Sequence, residues 1–199
     1  MMDKIIFATS NEGKMKEVRL ILKNLKTEVL SMKEAGIKID IIEDGKSFEE
    51  NAIIKAKAVS AYTKAIVLAD DSGLEVDYLG KQPGIYSARF MGEDTSYSVK
   101  NQAIIEKLKD AKGEERSARF VCVIAAVLPD GEVITTRGTI EGMIGYQEGG
   151  EGGFGYDPIL YLPEYKTTTA GLPIEIKNKI SHRGKALRLM AEELQKRMA

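Results

Sequence analysis

Tryptophan is absent from this 199-residue chain, cysteine and histidine occur once each, and neither sign of charge dominates. The single Cys122 lies inside the apolar run from Arg119 to Leu128. It therefore reads as core and excludes an intrachain disulfide framework or a cysteine-based zinc cluster. With 29 Lys and Arg against 30 Asp and Glu, the formal charge is −1. Nothing suggests a global basic field for nucleic acid, so any phosphate recognition must be local. No apolar stretch approaches the ~18 residues that span a bilayer, and the N-terminal residues lack the apolar core of a signal peptide, so a cytoplasmic protein is expected. Repeats, low-complexity tracts and linkers are also missing. Residues 1–199 read as one domain, long enough to bury a core without staples.

What is present is organised around Ala65 to Asp77. Ile66, Val67, Leu68 and Ala69 have the length and composition of a buried strand, and Asp70-Asp71-Ser72-Gly73 follows at once with turn chemistry. The expectation is that the strand ends there and that both carboxylates stand at its C-terminal edge, where open α/β sheets bind ligands. Adjacent side chains on an extended backbone point to opposite faces, so one Asp enters the crevice while the other braces the turn or a helix N-terminus. Two like charges side by side invite a hard cation such as Mg²⁺, bound through one or two carboxylates plus substrate phosphates. An ordinary acidic turn is the alternative.

The remaining segments carry three further patterns. Lys4 to Thr9 reads as a buried strand, and Ser10-Asn11-Glu12-Gly13-Lys14 links it to a helix with Val18, Ile21, Leu22 and Leu25 on its apolar face. That strand, loop and helix start can cradle an anion with backbone N–H groups, although it matches neither the Walker nor the dinucleotide fingerprint. A helix cap beside a solvated lysine is the plainer reading. Glycines 149, 150, 152, 153 and 155 make Glu148 to Gly155 a loop, and Phe154-Gly155-Tyr156-Asp157 closes it with flat rings that suit a base or a hydrophobic plug. Lys177 and Ser181-His182-Arg183 gather donors at the start of the last helix, fitting carbonyl oxygens or phosphate, or else a solvated helix end. The other segments read as scaffold. Ile37, Ile39 and Ile41 alternate as in a strand, Ser47 opens a helix with Glu50 as its capping partner, and Arg119 to Leu128 is a central strand turning at Pro129-Asp130-Gly131 into an antiparallel partner. A later helix is expected to turn Val99, Ile104, Ile105 and Leu108 inward. The sheet is expected to be mixed.

Taken together these stretches resemble the non-canonical purine nucleoside triphosphate pyrophosphatases, the inosine triphosphatase or XTP/dITP diphosphatase family. The resemblance rests on Ala8 to Lys14, Ser47 to Ala52, Ala69 to Leu74, Pro83 to Arg89, Gly152 to Pro158 and Ile180 to Gly184, in that order. It covers the whole chain. It implies an α/β fold with an elongated mixed β-sheet flanked by helices, two lobes with a central nucleotide cleft, a homodimer, and Mg²⁺-dependent hydrolysis of ITP, dITP and XTP to monophosphate and pyrophosphate. Asp71 would be catalytic and would share the metal with Glu43. Thr9, Ser10, Asn11, Glu12, Gly13, Lys14 and Ser72 would hold the phosphates, with Lys55 a weaker candidate. Phe154, Gly155, Tyr156 and Asp157 would form the base pocket, and Lys177, His182 and Arg183 would donate to the keto oxygen. Glu175-Ile176 departs from the family's usual pair of glutamates, and Glu175 is given no role. The rival expectations are a pyrophosphatase for modified pyrimidine triphosphates and a nucleotide-binding sensor that does not hydrolyse.

Overall fold

The structure, a computed structural model, describes residues 4–9 and 11–198. Ser10, one of the expected phosphate donors, lies outside the described residues. Eight strands are hydrogen-bonded in the order β2-β1-β3-β5-β6-β7-β8, with β4 on β3. These are β1 (Lys4–Phe7), β2 (Glu28–Ser31), β3 (Ile66–Val76), β4 (Gln82–Pro83), β5 (Ser117–Val127), β6 (Val133–Ile144), β7 (Leu160–Leu162) and β8 (Thr167–Thr168). The helices are α1 (Glu12–Leu22), α2 (Phe48–Ser60), α3 (Tyr97–Lys107), α4 (Ile174–Ile180) and α5 (His182–Met198). The sheet is mixed, as expected: β1 runs parallel to β2 and β3, while β4 on β3, β7 on β6 and β8 on β7 are antiparallel.

The chain packs as two compact units, each discontinuous in sequence. The first comprises Met1–Asp71, Cys122–Gly138 and His182–Ala199; the second comprises Ser72–Val121 and Thr139–Ser181. Each has its own hydrophobic core. In the first unit Ile5, Phe7, Met15, Val18, Leu22, Ile66, Leu68, Cys122 and Ile124 pack with Leu187 and Met190 of α5. Cys122 is buried there, as its apolar neighbours require. In the second unit Leu74, Val76, Ile104, Leu108, Ala118, Ile140, Tyr156 and Ile159 form the core.

Local chemistry accounts for most of these elements. Asn11 caps α1, its Oδ1 accepting from Lys14 N at 3.1 Å, and Met15, Val18 and Leu22 then fall on one buried face. Ser47 caps α2 by accepting from Glu50 N at 3.1 Å, while the Glu50 carboxylate reaches back to Lys46 N at 2.6 Å. From Phe120 to Val127 the strand β5 is apolar and buried, as its β-branched run predicts, while Ser117 and Arg119 at its start are only partly covered. Helix α5 starts close against β6: a Cβ on Gly138 would lie 2.7 Å from Ala186 N and would strike the His182 carbonyl, so only glycine allows this approach. Thr136 Oγ1 donates to Ala186 O at 2.8 Å beside it.

Three expectations are corrected. Asp70-Asp71-Ser72-Gly73 does not end a strand, because β3 runs unbroken from Ile66 to Val76. Its pairing with β1 stops at Phe7↔Leu68 and its pairing with β4 begins at Glu75↔Pro83, so the acidic pair occupies a stretch of strand with neither neighbour. Ile37, Ile39 and Ile41 belong to no strand, and their alternation is that of an extended segment half-buried on one side. Val99 is 50% exposed, whereas Ile104, Ile105 and Leu108 are buried as expected and Lys100 and Asn101 are buried beside them.

Candidate active site

In the first unit, β3 places its two carboxylates on opposite faces, as extended geometry demands. Asp70, 2% exposed, accepts from Lys14 Nζ through both oxygens at 3.0 Å and lies 3.6 Å from Arg183 Nε. Burial opposes its ionisation, but Lys14, Arg183 and Lys55 together outweigh burial and hold the carboxyl well below the usual carboxylate range. Asp71 turns toward α2. Its Oδ2 accepts from Asn51 Nδ2 at 3.1 Å, and its Oδ1 is 3.6 Å from Lys55 Nζ. Here burial wins over Lys55 and Asn51, and the carboxyl is pushed up to about 6. Adjacent residues of identical chemistry thus differ because Asp70 has Lys14, Arg183 and Lys55 to repay desolvation, whereas Asp71 has Lys55 set against the like charges of Glu43 and Asp70.

Glu43 joins Asp71 through a shared cation. Lys55 Nζ lies 2.8 Å from Glu43 Oε2, and although burial works against its charge, Asp71, Asp70 and Glu43 raise its pKa. Asn51 Oδ1 accepts from Gly45 N at 2.9 Å, so α2 fixes both Asp71 and the turn just after Glu43. A cavity of about 500 Å³ opens in this unit, lined by Thr9, Lys14, Glu43, Lys55 and Asp70 together with the extended segment Ile37 to Ile41. Thr9 Oγ1 accepts from Asn11 N at 3.2 Å, so Thr9 and Asn11 shape the turn into α1, and Glu12 and Gly13 open its first turn. Arg183 Nη1 donates to Glu17 Oε2 at 2.8 Å. Its guanidinium, expected at a keto oxygen, is therefore engaged by two carboxylates of this cluster. Among the described residues no three His, Cys, Asp or Glu side chains gather as metal ligands. Asp71 and Glu43, which already face one cation, fit Mg²⁺ only in the form that takes one or two carboxylates plus substrate phosphates.

In the second unit the glycine-rich loop closes on Asp157. This carboxylate, 4% exposed, accepts from Phe154 N at 2.7 Å, Thr169 Oγ1 at 2.8 Å and Lys177 Nζ at 2.7 Å. Gly153 has φ +75° and a Cβ there would collide with the Asp157 side chain, so the loop needs glycine at that point. Phe154 is 51% exposed, with Lys177 Nζ 5.3 Å from its ring centroid. Tyr156 behaves differently from the expectation that placed it in a base pocket. It is 5% exposed, its hydroxyl donates to Ser87 O at 2.7 Å, and its ring meets Tyr97 edge-on at 5.2 Å. Tyr156 is the plug and Phe154 the exposed ring. Lys177 comes from α4, a short helix that its basic sequence did not announce, and His182 is the first residue of α5. Ser72 follows Asp71 along β3, half-buried.

A family model described as the Ham1 family matches residues 5–193. This chain belongs to the Ham1 family. Relatives similar to it include a dITP/XTP pyrophosphatase of Clostridium perfringens, 48% identical over 97% of this chain and 98% of its own length. Another dITP/XTP pyrophosphatase, from Desulforamulus reducens, is 48% identical over 96% of this chain and 95% of its own. Among solved structures, the Ham1 protein of Staphylococcus aureus is 40% identical with a TM-score of 0.88, covering 98% of this chain and 99% of that one. A Ham1 protein of Coxiella burnetii gives 37% identity and a TM-score of 0.89 over 97% and 98%.

Within this Ham1 fold the sequence reading missed three side chains that hold the functional groups. Asn51 lies in a quoted motif but was read only as helix, although a buried amide on an Ala-rich face is itself a signal. Thr169 lies in a polar excursion with no periodicity to mark it. Asn101 was legible from spacing, because positions 101, 104, 105 and 108 make one helical stripe.

Proposed function

We propose that this Ham1-family chain hydrolyses the non-canonical purine nucleoside triphosphates ITP, dITP and XTP to the monophosphate and pyrophosphate. The observation that carries this reading is Asp71, a carboxyl pushed up to about 6 by burial, sharing Lys55 with Glu43 beside the Lys14–Asp70 pair. A general base works best with a pKa near the operating pH. Asp71 orients the attacking water and receives its proton; the water oxygen bonds to the α-phosphorus as the bond to the bridging oxygen breaks and pyrophosphate leaves. Lys14, a quarter exposed at its side chain, turns from Asp70 toward the phosphates, and the backbone around Asn11 to Lys14 with Thr9 and Ser72 completes their cradle. Ser10 is assigned to the same cradle by its place in the loop. Asp71 and Glu43 would hold Mg²⁺, which would supply neutralisation of the phosphate charge.

Phe154 offers its exposed face to the base, while Gly155 and Asp157 fix the loop that presents it. Lys177 and His182 act as donors toward the six-keto oxygen, and Arg183 holds Asp70 from the α5 side. Adenine presents an amino donor where hypoxanthine presents an acceptor, so it leaves those donors unmet. Sites that reject by unmet hydrogen bonds discriminate by about 10⁴ to 10⁵. The family resemblance adds a cytoplasmic homodimer to the proposal, which sedimentation equilibrium of the purified chain tests. The decisive assay measures pyrophosphate against single phosphate released from ITP, dITP, XTP, GTP, ATP and dUTP with Mg²⁺. Pyrophosphate from the first three well above the others is the expected result. Faster turnover of dUTP, or tight ITP binding without hydrolysis, overturns the reading.

A further inference from the structure

Helix α3 turns a polar residue inward where its stripe is otherwise apolar. Ile104, Ile105 and Leu108 fill their positions with hydrocarbon, yet Asn101 on the same face is 2% exposed. Its Nδ2 donates to Gly155 O at 3.2 Å, and its Oδ1 finds no hydrogen-bond partner among the described residues. The carbonyl of Gly155 fixes this orientation, since an amide oxygen turned toward it would be repelled. A buried acceptor without a donor is costly, so leucine or isoleucine would serve stability as well here. What the amide achieves is a hold on the loop.

That hold falls beside Phe154. Gly155 adopts φ +67°, a conformation few side chains tolerate, and Tyr97 of the same helix packs 3.5 Å from where its Cβ would be. Asp157 grips the Phe154 N–H at 2.7 Å, while Asn101 grips the next carbonyl from α3. We infer that Asn101 is a positioning residue for nucleobase recognition, setting the angle at which Phe154 faces the base. The inference rests on the purine triphosphatase reading above. Neighbouring Lys100, 1% exposed, provides the internal contrast: its Nζ donates to Ala88 O at 2.7 Å and lies 5.0 Å from the Tyr97 ring centroid, but its hydrogen bond goes to a segment other than the loop.

The test compares Asn101→Leu and Lys100→Met with the intact chain, reading steady-state kinetics on ITP with Mg²⁺, thermal melting, and amide exchange over residues 153–157. Asn101→Leu should raise KM about 10-fold with kcat within about twofold, the signature of lost binding rather than lost chemistry. Its Tm should stay within about 4 °C, because one orphaned group replaces another. Exchange in the loop should quicken. Lys100→Met should lower Tm and leave KM for ITP unchanged. Asn101→Ala, which removes the donor to Gly155 O without adding a charge or bulk, gives the same reading if the leucine variant does not fold. A KM unmoved in the Asn101 variants, or raised equally by Lys100→Met, overturns the inference alone. A wild-type chain that releases no pyrophosphate from ITP overturns the functional reading and this inference with it.

Discussion

Asp70, Asp71 and Glu43 in the first unit draw on Lys14, Lys55 and Arg183 as counter-charges, whereas Asp157 in the second unit takes one ammonium, one hydroxyl and one backbone N–H. The first arrangement is tuned by charge and responds to whatever ion or phosphate enters it. The second is tuned by backbone geometry, with glycines at positive φ and an aromatic ring left facing outward. On the proposed function, the phosphates would meet groups that can exchange partners, and the base would meet a ring presented by a backbone held through Asp157.

The largest test of the charged side is Asp71→Asn. Removal of a general base costs typically 10²–10⁴-fold in rate, and pyrophosphate release should fall by about that much while ITP still binds. Because burial holds the Asp71 carboxyl up near 6, ionising it costs stability as pH rises through that value. The same variant should therefore melt higher than wild type at pH 8 by about 1–2 kcal/mol, with metal removed. Full activity in Asp71→Asn would detach the charged cluster from chemistry.

Asp70→Asn should act in the opposite sense. Its carboxyl is held below the usual carboxylate range, so its stabilisation is present above the unfolded pKa of about 4 and is lost as pH falls toward the folded value. The variant leaves Lys14 and Arg183 short of a buried partner and should lose about 3–5 kcal/mol at neutral pH. Denaturant melts from pH 7 to pH 3 should show wild type losing stability in acid and Asp70→Asn losing less. Parallel curves would mean that Asp70 is not the carboxylate that holds these helices.

Phe154→Ala carries the comparison to the second unit. A stacked base is worth about 1–3 kcal/mol, so KM for ITP should rise by about 5- to 150-fold while Tm barely moves, the ring being half exposed. A large drop in Tm would show instead that the ring is a plug.

How much of this was legible depends on what each residue type signals. Ser47 announced its helix because a cap acts within one turn, and the apolar run from Phe120 announced β5 because a strand covered on both faces carries few polar residues. The turn expected at Asp70 to Gly73 failed for a physical reason. Acidic residues leave strands when water is their best partner, and here Lys14, Asn51 and Lys55, distant in sequence, supply better ones. The partners of Arg183 were hidden for the same cause, since Glu17 lies 166 positions away along the chain. Ile37, Ile39 and Ile41 show that alternation reports an extended, half-covered backbone, and only a neighbouring strand makes it a sheet.

Tyr156 and Phe154 looked interchangeable in sequence, and the smallest prediction separates them. Both flank Gly155, but the Tyr156 hydroxyl donates to Ser87 O, and Ser87 in turn donates from its own hydroxyl to Gly84 O at 2.6 Å and accepts from Leu74 N at 2.9 Å. Tyr156 thus links the loop to β3 through a buried chain of bonds. Tyr156→Phe keeps the ring and its edge-on contact with Tyr97 and removes one link, so it should cost about 1 kcal/mol of stability in urea melts. Its KM for ITP should stay within about twofold of wild type, because no base meets a ring that is covered. A KM shift matching that of Phe154→Ala would put Tyr156 against the base and erase the division between anchor and platform on which the second unit's geometry depends.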